Sequence, residues 1–408
     1  MSRRIIEHAK TVLIAVLIVT AVLLAVRTGI FGEIAEGFNR VAASGDMTIT
    51  NDHTMPIEAA RPAVIALRTD TGFGSVAKYD RTAVDTLYER TSGVIGEALA
   101  AAADWQLTAE IDWQRALKAP HVMYEYFNAA PLELVSGWFG TSIAQDIPVR
   151  RICLALDDAS TIYIQSDTSV FKAATESFEG ALTLNIEPTH ENIYEFEHNS
   201  GSAAPYHILY SSAVHPLAVI SNPFERPGNL AAILTNFGID STQKPGYIES
   251  DGTQFYVVGT TFTLSISPNG ELVYEKSSVA DSTEIISTTQ SVEVARSIAQ
   301  RVLDAYSGDA QVWFSGISVS GNEATVTFDY YFAGGRVFLN DGEHAATVTI
   351  VNRTVTDMVL RFRTLTAEGE TSLLPERQAL AAADGEFRLG YNDSGSATPF
   401  WYSTEGGV

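Results

Sequence analysis

The 408-residue sequence holds a single cysteine, Cys153. An internal disulfide is therefore excluded, since no second thiol is there to pair. Lying in the apolar run 152–156, Cys153 reads as a small buried hydrophobe. Any fold has to rest on core packing alone. Basic residues are also scarce: 26 Lys and Arg stand against 49 Asp and Glu, a formal net charge of −23. A surface of that sign repels phosphate backbones, which argues against nucleic acid as a partner. The motifs of nucleophilic catalysis are missing as well. There is no Gly-x-Ser-x-Gly elbow, and Ser-x-x-Lys does not occur with its companion motifs. No cofactor is implied, and the chain does not read as an enzyme.

What is present begins with an apolar run, Thr11–Val26, sixteen residues without a charge between Lys10 and Arg27. Ile5, Ile6 and Ala9 extend it on one side, and Ile30 and Phe31 on the other. From Ile5 to Phe31 it is long enough for a membrane helix. Lys10 and Arg27 can snorkel to the headgroups. Arg3, Arg4 and Lys10 precede the run, while Glu33 and Glu36 follow Arg27, so the basic end is expected in the cytoplasm and the rest outside. A cleaved signal peptide shares these features, but Ala25-Val26-Arg27 is a poor cleavage site and Ala35-Glu36-Gly37 lies far from the core. The expected arrangement is a cytoplasmic tip and single-pass helix over 1–31 and a tether over 32–61. Two extracytoplasmic domains follow, over 62–228 and 229–408. Without the charges of the first 31 residues, the outer part holds 22 basic and 48 acidic residues, a net of −26. Ala21, Ala25 and Gly29 recur every fourth residue and put three small side chains on one helical face. Such faces let helices approach closely in lipid, which makes these three the candidate contact with a partner's membrane helix.

The whole chain is 46% hydrophobic and holds 16 tyrosines, the composition of packed domains. Its pattern is α+β: antiparallel sheet domains with helices laid on them, without alternating βαβ units. Ala63–Leu67 reads as a strand and Tyr79–Ala103 as a long helix with Val84, Leu87, Tyr88, Ile95 and Leu99 inward. Ile111–Lys118 and Pro131–Phe139 read as helices, and Val122–Phe127 as a strand. Val149–Leu156 and Thr161–Gln165 form an expected hairpin about Asp157-Asp158, and Thr168–Phe178 reads as a helix. In the second block, Ala231–Phe237 and Val292–Tyr306 are predicted helices. Phe255–Val258, Thr261–Ser267 and Glu271–Glu275 are predicted strands, with Pro268-Asn269-Gly270 as a hairpin turn. Val312–Ser318, Ala324–Tyr331, Ala345–Val351 and Val355–Leu365 follow as strands. Pro375–Ala383 reads as a helix, with two short strands, Glu386–Tyr391 and Pro399–Tyr402, at the end.

Several local patterns invite chemistry. Gly72-Phe73-Gly74-Ser75-Val76-Ala77 matches Gly-x-Gly-x-x-Ala, but four residues separate it from the preceding strand where a dinucleotide fold needs a tight turn into a helix. A turn is the better reading. His190-Glu191 lacks the second zincin histidine, since position 194 is Tyr. His198 is eight residues on, in an acidic, Ser/Gly-rich stretch that reads as a loop. His207 and His215 lie in apolar runs and read as core or strand histidines. Asn352-Arg353-Thr354 and Asn392-Asp393-Ser394 match the glycosylation sequon.

Short stretches of the outer part resemble the YycH family of membrane-anchored regulators and its shorter relative YycI. They include Val122–Phe127, Pro131–Phe139, Arg150–Ile164, and the run from Asp251-Gly252 through Gly259, Leu264, Leu272 and Tyr274. Phe328-Asp329-Tyr330-Tyr331-Phe332 before Gly335-Arg336-Val337-Phe338 is similar to another family segment, although the family more often has proline where Arg336 stands. Val348–Arg363 and Leu374–Leu380 continue the likeness. The resemblance implies a non-enzymatic protein in the cell membrane. It would act on a sensor histidine kinase of the WalK type through its membrane helix and outer domains, with a YycI-like protein as a second partner. The competing reading is a surface-anchored cell-wall-binding protein or hydrolase.

Overall fold

The computed structural model describes residues 56–68, 74–156, 161–175, 196–197, 207–208, 212–241, 246–277, 287–352, 354–382 and 387–403. The expected membrane helix, with Arg3, Arg4, Lys10, Ala21, Ala25, Arg27 and Gly29, and residues 32–55 of the expected tether lie outside these residues, while 56–61 of the tether are described. Among the described residues no helix is long and apolar enough to cross a membrane.

The first part of the chain builds a seven-stranded antiparallel sheet. Its elements are α1 (Pro56–Ala59), β1 (Val64–Arg68), β2 (Gly74–Ala77), α2 (Arg81–Ala101), β3 (Ala103–Thr108), α3 (Glu110–Lys118), β4 (His121–Pro131), α4 (Leu132–Trp138), β5 (Pro148–Ala155), β6 (Thr161–Gln165) and β7 (Val170–Ala174). The strand order is β2-β1-β4-β5-β6-β7-β3. The long helix α2 starts where Asp80 accepts hydrogen bonds from the amides of Thr82 and Ala83, a side-chain cap for two otherwise orphaned donors. Its stripe Val84, Leu87, Tyr88, Ile95 and Leu99 is buried, as helical spacing predicts. The hairpin of β5 and β6 forms in register, with Leu154 opposite Ile162.

Two expectations are corrected here. Residues 168–175 are not helical: Val170–Ala174 is a strand filling the gap between β6 and β3, and 176–178 lie outside the described residues. A helical count over so short a segment is ambiguous, and Val170 and Phe171 favour a strand that both neighbours can hydrogen-bond. The Gly-x-Gly pattern is neither a nucleotide loop nor only a turn. Gly74–Ala77 runs back antiparallel beside β1, with Arg68 opposite Gly74 and Ile65 opposite Ala77, so no helix begins at Gly74. The edge strand β3 has no apolar alternation, being largely exposed, and is legible only through its partner β7.

Next along the chain come β8 (Phe196–Glu197), β9 (His207–Ile208), β10 (Val214–Ser221) and α5 (Asn229–Asn236). The remainder comprises β11 (Tyr247–Ile248), β12 (Gln254–Val258), β13 (Phe262–Ile266), β14 (Glu271–Lys276), α6 (Thr288–Leu303), β15 (Gln311–Ser320), β16 (Glu323–Phe332), β17 (Gly335–Phe338), β18 (Ala346–Val351), β19 (Thr354–Arg361), β20 (Thr364–Ser372), α7 (Glu376–Ala382), β21 (Phe387–Asn392), β22 (Ser396–Ala397) and β23 (Pro399–Ser403). Ten of these strands run in the order β11-β12-β13-β14-β19-β18-β16-β17-β21-β23, and β15 pairs with β16. Every pairing in this sheet is antiparallel except β17 with β21. The mixture of helices and antiparallel sheets is α+β, as expected.

The predicted strand 355–365 is two strands, broken after Arg361. The second, β20, continues through the exposed or half-buried residues 366–372. It is held by β10, which pairs with it from Val214–Ser372 to Ser221–Thr364. Pro216 marks a register shift in that ladder, the kind of irregularity that admits proline to a strand. Residues 214–221 precede the expected domain boundary, yet their partners β20 and β22 come from the last part of the chain.

Helix α6 is closed by a capping box, Ser287 with Gln290, and lays Val292, Ala295, Ile298, Ala299 and Val302 into the core. One continuous apolar cluster includes Ile65 and Ile95 from the first sheet's side and Val292 and Phe328 from the second. Their seam is aromatic and specific. The Trp313 ring on β15 meets Tyr126 at 6.3 Å, Phe127 at 6.1 Å and Trp138 at 5.9 Å. Asn128 Nδ2 donates to Phe314 O at 3.1 Å and to Tyr331 Oη at 2.7 Å. Trp138 Nε1 donates to Glu293 Oε1 at 2.6 Å, and the buried Glu293 carboxylate is gripped by Arg296 Nη2 at 2.8 Å.

Candidate functional site

The seam opens on one side into a cleft of about 70 Å³. Its floor comes from β1, β4 and β5, and its far wall from β17, β21 and β23. Five cations line it: Lys78, Arg150, Arg151, Arg336 and Arg388. They come from distant parts of a chain whose net charge is −23.

Each cation is placed by a contact that the fold supplies. Arg150 and Arg151 sit side by side on β5 and share one carboxylate. Arg150 Nη2 lies 3.2 Å and Arg151 Nη2 3.1 Å from Glu125 Oε1 on β4. Register puts Arg151 directly opposite Glu125, so cross-strand pairing aligns these charges. Arg150 also donates to the Tyr126 carbonyl, and Arg151 Nη1 to Gln165 Oε1 at 3.0 Å. Arg336, at the start of β17, lies 2.9 Å from the buried carboxylate of Asp329 on β16. That carboxylate also receives the Ser315 hydroxyl at 2.6 Å and faces His344 Nδ1 at 2.8 Å. Arg336 is thus the ion-pair partner of a buried acid. Arg388 Nη1 on β21 donates to the Phe127 carbonyl at 3.0 Å and ties the second sheet to the first.

Lys78 and Tyr79 form the upper rim. Lys78 Nζ lies 2.8 Å from Glu376 Oε1 at the start of α7, and the Tyr79 hydroxyl donates to the same oxygen. Burial, reinforced by the nearby Glu376 charge, raises the Tyr79 hydroxyl pKa well above its ordinary value, so it stays a donor. Tyr79 has a left-handed backbone, φ 66°, a costly conformation for a bulky residue. Gly334 accommodates it: a Cβ there would sit 2.7 Å from the Tyr79 ring and 3.0 Å from its Cα, and Gly334 itself has φ 77°. The turn between β16 and β17 is therefore shaped to receive Tyr79. Behind the rim His215 is buried between Tyr79 and Trp401, with ring centroids at 5.2 and 5.5 Å. Burial lowers its pKa, with the Glu376 charge opposing. The core reading of His215 holds.

The other residues singled out from sequence scatter. Cys153 is fully buried against Met123 and Trp113. His190, His198 and Asp157-Asp158 lie outside the described residues, and of His207 only its place in β9 is described. Among the described residues no group of three or more His, Cys, Asp and Glu is placed to hold a metal. In the sequons, Asn352 has a left-handed backbone, while Asn392 Oδ1 accepts from the Thr398 amide and Asp393 Oδ2 lies 2.9 Å from Arg363 Nε. The basic cleft was not foreseen. Its one local signal is Arg150-Arg151 at the head of an otherwise apolar strand, where two adjacent charges need a shared partner.

No family model matches the chain, and no curated protein does. Solved structures do. The chain superposes on the crystal structure of YycH from Bacillus subtilis with a TM-score of 0.53 and 12% sequence identity, covering 87% of this chain and 95% of that one. An uncharacterized protein from Eubacterium rectale ATCC 33656 is matched over 52% of this chain and 83% of its own, at 9% identity and a TM-score of 0.31. At that identity the first match speaks for architecture, and it does so over nearly the whole of the matched chain: the protein has a YycH-like fold.

Proposed function

We propose that this protein is a membrane-anchored, non-enzymatic regulator of a cell-envelope two-component system. In this reading residues 5–31 cross the cell membrane once with the N-terminus in the cytoplasm, and the sheets described above lie outside. The target is a sensor histidine kinase of the WalK type, with a YycI-like protein as a second partner. The observation that carries the proposal is the YycH-like fold over 95% of the matched chain. The charge-flanked apolar run Thr11–Val26 agrees with it.

The physical demand on such a regulator is modest. Moving a two-state kinase from 1:99 to 99:1 takes a differential affinity of about 5.5 kcal/mol, spread over all the contacts that differ between its states. A helix face of Ala21, Ala25 and Gly29 supplies close van der Waals packing in lipid, where hydrophobicity itself gives no drive for association. Ala25→Ile fills that face with a branched side chain while keeping the segment apolar. It is expected to reduce co-isolation with the kinase and alter kinase output at unchanged membrane abundance. Co-isolation and output like those of the unaltered protein would show that this face is not the contact.

A further inference from the structure

One face of the second sheet carries a band that neither the sequence motifs nor the fold accounts for. Register lines up one residue from each of seven neighbouring strands. Tyr247 of β11 stands opposite Phe255 of β12, and Phe255 opposite Ser265 of β13. Val273 of β14 and Val359 of β19 continue the row, followed by Thr347 of β18 and Thr327 of β16. Directly opposed residues share a face of the sheet. The alternating positions Leu264, Tyr274, Met358, Val348 and Val326 are buried, so the row lies on the outer face. With strands about 4.8 Å apart it spans about 29 Å.

The row holds no charged residue, in a chain whose net charge is −23. Charges stand on both sides of it. Two positions along the strands in one direction, exposed Glu275 lies opposite exposed Asp357. Two positions in the other, Glu271 lies opposite Arg361 and pairs with it at 3.0 Å. One end of the row is aromatic. The Tyr247 ring, 54% exposed, stacks on Phe255 with centroids 5.1 Å apart and ring planes 7° apart. Val257, on the same face, is 58% exposed.

We propose that this band binds a neutral polysaccharide chain laid across the strands. A sugar ring has an apolar C–H face and a rim of hydroxyls. The face packs on an exposed aromatic ring, while the hydroxyls donate to carboxylates and exchange hydrogen bonds with Ser and Thr. Tyr247 and Phe255 offer the first contact; Ser265, Thr347, Glu275 and Asp357 offer the second. Charge selects against other occupants. An anionic polymer, or a second copy of this acidic chain, would bring negative charge against Glu275 and Asp357. A standard protein interface closes over a broader apolar core than this row provides.

The test uses the full chain in a zwitterionic detergent without a sugar headgroup, titrated calorimetrically with chitohexaose and separately with cellohexaose, both neutral. It needs no kinase, so its outcome is separate from that of the Ala25→Ile experiment. Saturable binding of at least one probe is expected. Tyr247→Ala should weaken it about tenfold, the order for one lost ring contact, and Tyr247→Phe should keep it. Thr347→Lys, which puts a long charged side chain in the middle of the row, should weaken it at least as much. Leu107→Ala, on the first sheet, should leave binding unchanged. Each variant is compared only after its unliganded melting temperature matches the parent's. No saturable binding of either probe up to about 10 mM, weaker than the millimolar range, would overturn the proposal. Binding that Tyr247→Ala and Thr347→Lys both leave intact would do so equally. A dimer in sedimentation that Tyr247→Ala dissociates would give the face to a second copy and also overturn it.

Discussion

Replacing Trp313 by alanine is expected to lower the unfolding free energy by about 3–5 kcal/mol, the range for removing a large aromatic from a packed core. Trp313 is only 7% exposed, and its ring is the hub at which Tyr126 and Phe127 of the first sheet and Trp138 of α4 meet β15 of the second. The truncation leaves a void that three other rings border, and rings held by two sheets cannot all move inward to fill it. Leu107→Ala is the matching control. Leu107 is 69% exposed on β3, and its truncation should change stability by no more than about 0.5 kcal/mol. Denaturant unfolding of the two variants beside the parent checks both values. A loss below about 1 kcal/mol for Trp313→Ala would mean that the sheets do not pack through this residue.

A comparable effect is expected from acid acting on one histidine. His121 opens β4, is fully buried, and has Nδ1 2.8 Å from the Ala119 carbonyl. Burial drives its pKa down from 6.5 to about 4; the hydrogen bond to Ala119 opposes this and the Arg68 charge adds to it. The folded pKa therefore lies below the unfolded one. Above about pH 6.5 the ring is neutral in both states and the group makes stability independent of pH. Below that, the unfolded chain takes up a proton that the folded chain refuses until about pH 4. Stability falls over this window by about 1.4 kcal/mol per pH unit from this group alone. His121→Asn can keep a donor near Ala119 O and cannot titrate. Its unfolding free energy, measured between pH 7 and 4.5, should approach and then overtake that of the parent. Parallel pH profiles for the two proteins would contradict the assignment.

What could be read from the residues, and what could not, divides by range. Helices α2 and α6 were legible because Val84, Leu87 and Tyr88, or Val294, Ile298 and Val302, repeat at helical spacing, although α6 begins at Thr288, four residues before the expected Val292. The turn 268–270 announced the hairpin of β13 and β14 because its signal is local. Strands β3 and β20 were not legible. Their side chains are exposed, and what makes them strands is the hydrogen bonding of β7 and β10. Tertiary pairing decided them, and propensity had no say. The seam was beyond reach in a different way: Trp138 and Glu293 stand 155 positions apart, and no periodicity links them. The cleft is the extreme case. Its cations are distributed from Lys78 to Arg388, and only the folded sheets bring them to one place.

The same division applies to function. The apolar run, the flanking charges and the small-residue face are properties of contiguous sequence, and they point to an anchor. The likeness to YycH is a property of the fold, surviving at 12% identity because sheet order and core volume tolerate wide substitution. The account that joins them is a protein fixed in the membrane by one helix and acting by contact. A photoreactive residue placed at position 25 or 29 in cells, followed by identification of whatever it captures, tests that account most directly. The prediction is a covalent adduct with a membrane helix of a sensor histidine kinase, on a chain that keeps its first 31 residues. Recovery of a chain beginning past position 37, released from the membrane and bearing no adduct, would contradict it.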